Sequence, residues 1–497
     1  MIKILSTEQV RKADEYTIKN EPISSINLME RASKKVAEWV LHRFSKKFKV
    51  CIIAGSGNNG GDGLAVARIL NGYGYKVYVL LVLGGAGSDD FNENLDRLKN
   101  LSSVNFVSKA EDFEGISGEK IYIDAVFGSG LSRDIEGEPA ELIHTINQHY
   151  GVKLAIDIPS GIYADKHSTG KSIFKADHTL SFQTPKLAFM MPENYPFVGE
   201  WHILDIGLSQ EFLRQVDTDK SYFEARDYRE KAVTPFGHKG TRGRATVIAG
   251  GFGKMGAALL VLKGALHSGI GLLTAQVCPP SVNVVQTAVP EALILQDEND
   301  YVLGTLHDYS NQDVLVMGPA IGNANKTCIL LREVLSSYNG QLVLDADAIN
   351  ILAENREMLE MLPKNTILTP HPGEFSRLVG KAENDFERIE LLQSFCKKYQ
   401  VITVLKGKYT AVCSAKGEIS FNSTGNSGMA KGGSGDLLCG IIAGIYPRKK
   451  NTFETVKLAV FLHGLAGDLA KSYLGENFMT PSNIADYLSF AEMNLDE

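Results

Sequence analysis

Residues Val50–Tyr73 read VCIIAGSGNNGGDGLAVARILNGY. The apolar run Val50–Ile53 has the character of a strand covered on both faces, and Leu64–Tyr73 has the period of a helix. Between them Gly55, Gly57 and Gly60 match G-x-G-x-x-G. Glycines in that setting let a phosphate approach the amides at a helix N-terminus. The dehydrogenase form of this motif places an acid about 20 residues further on, at the end of the next strand, to hold a ribose. Here that strand reads VYVLLVLGG (Val77–Gly85), and no acid follows until Asp89. Asn58, Asn59 and Asp62 are polar beyond what a turn needs. A dinucleotide is therefore expected, held in another manner.

The same alternation of strand and helix continues on both sides of this motif. Val77–Val82, Ile121–Asp124 and Leu154–Ile158 are strand-like, as are Ala245–Ile248, Val314–Met317, Leu342–Leu344, Ile367–Leu368 and Ile402–Leu405. Ala257–His267 and Thr455–Ala470 are helical in pattern. This is an α/β chain of doubly wound character. At 497 residues it exceeds one ordinary core. The pattern fails in the charged stretch 213–231, which divides the expected domains into 1–215 and 225–497.

The net charge of -7 argues against a nucleic-acid partner. Six cysteines without a C-x-x-C pair fit a reducing compartment and give no cysteine-based zinc site. The first 20 residues are charged throughout, and no apolar run is long enough to span a bilayer. A cytoplasmic protein with no membrane partner, assembled as a homo-oligomer, is expected.

Two further strand ends carry acids. Ile121–Arg133, IYIDAVFGSGLSR, places Asp124 before a glycine turn, and Ala155–Gly161, AIDIPSG, places Asp157 and Ser160. Taken singly, each Asp is a cap for the next turn. Three such ends together define a site at the carboxyl edge of a sheet. GSGNNGGDGLAVAR, DAVFGSGLSRD, AIDIPSGIYADKHSTG and the early NLMERA (Asn27–Ala32) resemble the NAD(P)H-hydrate epimerase family, of Rossmann-like fold. The resemblance implies hydrate binding at Asn58, Asn59, Gly60, Gly61 and Asp62. It implies further contacts at Gly128, Ser129, Gly130, Leu131, Ser132, Arg133, Asp134 and Asp157. It also implies potassium held by Asn59, Asp124 and Ser160, oxygen donors suited to a hard cation. Asp157 is the first choice for proton transfer and Asp62 the competitor.

Thr424–Gly440, TGNSGMAKGGSGDLLCG, holds six glycines around the start of a helical run. Glycine amides and a helix N-terminus together form an anion cradle, with Asp436 beside it as the expected base. It is not a Walker A loop, because Ala430 precedes Lys431 and Gly432 follows it. TPHPGE (Thr369–Glu374), DADAIN (Asp345–Asn350), GPAIG (Gly318–Gly322) and KGKYT (Lys406–Thr410) end other strands of this half. From His238 to Leu469 the sequence resembles the ADP-dependent NAD(P)H-hydrate dehydratases of the ribokinase-like superfamily. That resemblance implies hydrate contacts at Ala257, Gly322, His371 and Asp436. It implies nucleotide contacts at Lys406, Gly407, Lys408, Tyr409, Thr410 and Gly435. ADP would be the phosphoryl donor, accompanied by Mg2+. Lys431 departs from the family pattern, and either a phosphate contact or solvent remains open for it.

Joined, the two halves imply repair of hydrated NADH and NADPH, by epimerisation in the first and ADP-dependent dehydration in the second. The alternatives are a vitamin-type kinase fused to a dinucleotide-binding module, and a non-enzymatic N-terminal sensor.

Overall fold

The computed structural model describes residues 1–224, 236–449 and 452–495. The charged boundary stretch 213–231 lies outside the described residues from 225 onward. The chain divides into two compact α/β units. One comprises Ile2–Thr218 with Asn384–Phe386, the other Asp219–Glu383 with Glu387–Glu497. Among the described residues no helix is long and apolar enough to cross a membrane.

In the first unit the sheet runs Asn105–Val107, Lys76–Val82, Lys49–Gly55, Lys120–Ala125, Val152–Ile156, His178–Phe182, Glu200–Leu204, all parallel. Lys49–Gly55 pairs with Lys76–Val82 on one side and Lys120–Ala125 on the other. The chain winds outward one way, then returns to the opposite side. The crevice opens at that reversal, between the loops that follow Gly55 and Ala125. Both glycine motifs of this half sit there.

The helix after the first strand is Asn58–Gly72, so it starts before the expected Leu64 and takes in the glycine loop. Gly60 explains how. A Cβ on Gly60 would lie 1.7 Å from the Gly55 carbonyl oxygen. Glycine lets the first turn of the helix rest on the strand end. Gly60→Ala is expected to lower the stability of this unit by about 3 kcal/mol or more, the scale of overpacking with backbone displacement. Chemical denaturation monitored by circular dichroism checks this, and a wild-type midpoint would refute it.

In the second unit the sheet is mixed. Its strands order as Lys220–Phe223, Ile419–Asn422, Ala411–Cys413, Ile402–Leu405, Ile367–Leu368, Gln341–Leu344, Val314–Met317, Arg244–Ile248, Leu272–Val277, Leu293–Gln296. From Ile402–Leu405 to Leu293–Gln296 the pairs are parallel. Ile402–Leu405, Ala411–Cys413 and Ile419–Asn422 pair antiparallel. KGKYT is thus a hairpin turn rather than the start of a crossover. The winding reverses between Arg244–Ile248 and Val314–Met317, whose loops meet through Gly250 N to Pro319 O (2.9 Å) and Gly251 N to Ala320 O (2.6 Å).

Helices Met255–His267 and Ser434–Lys449 cross in close contact. A Cβ on Gly440 would stand 2.0 Å from the Val261 carbonyl oxygen, so the crossing requires glycine there. This packing sets the helix carrying Asp436 against the helix carrying Ala257.

Candidate active sites

In the first unit, Asp124 ends its strand fully buried. Ser160 donates to it twice, from N (2.7 Å to Oδ2) and from Oγ (2.7 Å to Oδ1). Phe127 N donates to Ser160 Oγ at 2.8 Å. Two strand ends are thereby clamped together. Burial lifts the Asp124 carboxyl to about 6 although the Ser160 bonds oppose it. Gly128 reaches the same place, since a Cβ on it would lie 3.2 Å from Asn59 Cβ. The Asn59 Nδ2 is buried with no hydrogen-bond partner among the described residues. Amide oxygen and nitrogen are assigned from such partners, so this position equally presents an oxygen. A carboxylate, a hydroxyl and an orphaned amide in one buried place fit a hard cation.

The rest of Gly128–Asp134 forms an exposed loop on the rim. Leu131 N bonds Gly128 O at 3.2 Å, and Ser129 O accepts from Thr7 Oγ1 at 3.3 Å. Gly130, Ser132 and Arg133 face solvent. Asp134 accepts from Tyr163 Oη (2.5 Å) and Thr169 Oγ1 (3.0 Å), which ties this loop to the segment after Asp157. Asn58 is exposed, whereas Gly60, Gly61 and Asp62 are buried within the helix's opening turns. Asp62 receives the Ser33 hydroxyl at 3.4 Å.

Asp157 follows the strand Val152–Ile156 in a left-handed backbone conformation, φ 65°. Its Oδ1 lies 2.8 Å from Lys186 Nζ, and the Lys186 side chain is only 1% exposed. Phe182 N also donates to Asp157 Oδ1, at 3.2 Å. Two more carboxyls feel this charge. Burial, then Asp157, pushes Asp62 well above the carboxylate range. Burial and Asp157 together raise Asp14, on helix Thr7–Asn20, to about 6 against the pull of Lys186. Lys186 and Asp14 stand beside Asp157, and the sequence reading missed both. For Lys186 a signal existed, the polar run Gln183–Lys186 at another strand end. For Asp14 there was none.

In the second unit, Asp436 stands in the first turn of helix Ser434–Lys449, where amides lack intrahelical partners. Burial and the nearby Asp345 raise its carboxyl to about 6, opposed by Lys406. Lys406 Nζ pairs with Asp345 Oδ1 at 3.0 Å. Burial pulls the ammonium down, but Asp345, Cys439 and Glu374 outweigh it and hold Lys406 above its ordinary range. Buried Cys439 Sγ donates to Asp345 Oδ2 at 3.3 Å. Gly435 leaves room for this group, since a Cβ there would meet Lys406 Nζ at 3.0 Å. His463 is buried nearby with Nε2 unpartnered among the described residues, and burial and Lys406 lower it to about 4.

The remaining residues take definite places. Gly322 N donates to Asp347 Oδ2 at 2.8 Å. Ala257 is half-buried near the start of its helix. His371 caps helix Pro372–Val379, its Nδ1 accepting from Gly373 N (3.0 Å) and Glu374 N (3.3 Å). In the hairpin turn, Thr410 Oγ1 closes on Gly407, and Tyr409 packs against Tyr222 with ring centroids 6.4 Å apart. Lys408 Nζ reaches Gly425 O (2.6 Å), joining the turn to the glycine loop. Asp468 takes up Gly425 N and Asn426 Nδ2 at 2.8 and 2.9 Å. Lys431 is exposed and donates to Asn477 O (2.8 Å) and Met479 O (2.6 Å). Space remains beside Gly322, Gly407 and Gly432, where a Cβ would meet nothing within 4 Å.

Comparison with known proteins follows this division. Residues 25–188 match the family described as YjeF-related protein N-terminus, and residues 245–489 match NAD(P)H-hydrate dehydratase. The chain is 31% identical to the bifunctional NAD(P)H-hydrate repair enzyme of Moorella thermoacetica, over 99% of this chain and 97% of that relative. It is 32% identical to the enzyme of the same description from Thermofilum pendens, over 100% and 96%. The ADP/ATP-dependent NAD(P)H-hydrate dehydratase of Bacillus subtilis, crystallised with ATP and Mg2+, aligns with a TM-score of 0.49 at 26% identity, covering 55% of this chain and 98% of that one. Two reversal-point crevices, each edged by acids and glycines, thus occur in a chain that belongs to the family of bifunctional NAD(P)H-hydrate repair enzymes.

Proposed function

We propose that this chain repairs hydrated NADH and NADPH in two steps. The N-terminal unit, assigned to residues 1–215, interconverts the R and S hydrates. The C-terminal unit, assigned to 225–497, uses ADP to dehydrate the S hydrate, giving NAD(P)H, AMP and phosphate. The observation that carries the reading is Asp436, a base raised to about 6 in the first turn of a glycine-flanked helix beside the Lys406–Asp345 pair.

In the dehydratase unit Asp436 accepts the proton of the hydrate hydroxyl as phosphoryl transfer proceeds. First-turn amides and Lys406 offset charge on the transferred group. A phosphorylated hydroxyl leaves readily, and its elimination restores the reduced ring. ADP enters as its Mg2+ complex, and no residue of this chain is assigned to that ion.

In the epimerase unit Asp157 moves the proton, with Lys186 fixing its carboxylate. Asp14 and Asp62, biased toward their protonated forms, are the nearby proton reserve. Asn59, Asp124 and Ser160 would hold potassium, which would supply a fixed positive charge to the site. Six unpaired thiols support a reducing, cytoplasmic setting.

The test is incubation of mixed hydrate epimers with ADP or ATP, following recovery of reduced-nicotinamide absorbance. Complete conversion of both epimers with ADP is expected. Release of a stable phosphorylated product without that recovery would overturn the reading. Because the base works deprotonated, kcat/KM for dehydration is expected to rise with pH through about 6 and level above it. A profile flat across that window would remove Asp436 as the base.

A further inference from the structure

The edge of the N-terminal sheet carries a side-chain group that neither site uses. His178 opens the strand His178–Phe182, and Glu200 and His202 belong to the edge strand Glu200–Leu204. The strands run parallel, with His178 opposite Glu200 and Leu180 opposite His202. Residues two apart on a strand share a face, so all three side chains emerge on one side of the sheet. They converge there. His178 Nδ1 lies 3.3 Å from His202 Nε2 and 3.6 Å from Glu200 Oε2, and His202 Nε2 lies 3.9 Å from Glu200 Oε1. All three donor atoms fall within 4.8 Å of one another.

Hydrogen bonding accounts for only part of this. The two imidazoles can share one proton, but 3.6 and 3.9 Å are too long for hydrogen bonds from Glu200. A tetrahedral ion bonded at about 2.0–2.1 Å to each donor spaces those donors roughly 3.3 Å apart. The imidazole pair already has that spacing, and a small rotation of Glu200 brings its oxygen to it. The ring of Trp39 packs against both imidazoles, with centroids 5.1 Å from each, and supplies an apolar wall that fixes their orientation. The Glu200 side chain is 70% exposed, which leaves a path from solvent.

We propose that His178, Glu200 and His202 bind a divalent transition-metal ion of the zinc class. Two imidazoles with one carboxylate suit such an ion rather than Mg2+ or Ca2+, which take all-oxygen sets. The site uses no cysteine, so cysteine spacing gives no sign of it. Its effect is structural: the ion ties the sheet's edge strand to its neighbour.

The experiment uses the full chain, stripped with chelator, desalted and kept free of nucleotide. Zn2+ is titrated by calorimetry near neutral pH, and Co2+ serves as an optical probe. One Zn2+ per chain, an intense visible Co2+ band and a rise in the unfolding temperature are expected. Glu200→Gln and His202→Gln are each expected to weaken Zn2+ binding about tenfold or more. Glu200 is exposed, so its variant tests the ligand set without disturbing the core, and circular dichroism verifies both folds. Absence of Zn2+ binding by the wild type, or binding undiminished in both variants, overturns the proposal. Hydrate repair need not change in either variant, so failure here is distinguishable from failure of the repair reading.

Discussion

Asp436→Asn is expected to leave S hydrate unrepaired in the presence of ADP while the R and S forms still interconvert. The substitution preserves size and removes the only feature a base needs. General-base contributions run about 10²–10⁴-fold, and loss of ADP-dependent absorbance recovery should fall in or beyond that range. Stability should behave in the opposite sense. Burial and Asp345 both disfavour the charged form of Asp436, so neutralising it relieves an unfavourable charge. The folded protein is expected to melt at the wild-type temperature or slightly above, the signature of a site held at a stability cost for function. Epimer ratios by chromatography and absorbance recovery with ADP separate the two activities. Recovery at the wild-type rate would sink the assignment.

The second large effect belongs to Asp157→Asn, which should impair epimerisation by about 10²-fold or more while dehydration of pure S hydrate proceeds unchanged. Asn is chosen over Ala because it tolerates the left-handed conformation that Asp157 adopts. The variant also leaves the Lys186 ammonium buried without its partner, and breaking a buried pair costs about 3–5 kcal/mol. Lost activity could then reflect an unfolded unit. The double variant Asp157→Asn/Lys186→Met removes both charges and should recover much of the stability but none of the epimerisation. R hydrate accumulating at equilibrium with a folded double variant supports the role, and normal R-hydrate repair by either variant refutes it.

What the sequence made legible was local. The glycines of Ala54–Gly63 and Thr424–Gly440 announce strand ends and helix starts because backbone geometry demands them within a few residues. The helix boundary was misplaced for the same reason. Glycine lowers helix propensity, so Asn58–Gly63 reads as loop, and only the approach of Gly60 to the Gly55 carbonyl shows why the helix begins there. Partnerships across the fold stayed hidden. Lys406 meets Asp345 from a distant strand end, and Lys186 meets Asp157 across two adjacent strands. Asp14 joins from a helix with no motif of its own. The cross-strand meeting of His178, Glu200 and His202 depends on register, which no spacing within one segment encodes.

Lys431 has a consequence beyond its own bonds. By bonding to the carbonyls of Asn477 and Met479, while Asp468 bonds to Gly425 and Asn426, it ties both arms of the glycine loop to other parts of the fold. Ordering a flexible loop at the moment of encounter subtracts from affinity. On the proposed function, a nucleotide would meet arms already tied within the fold and would dock with little rearrangement of the backbone that receives it.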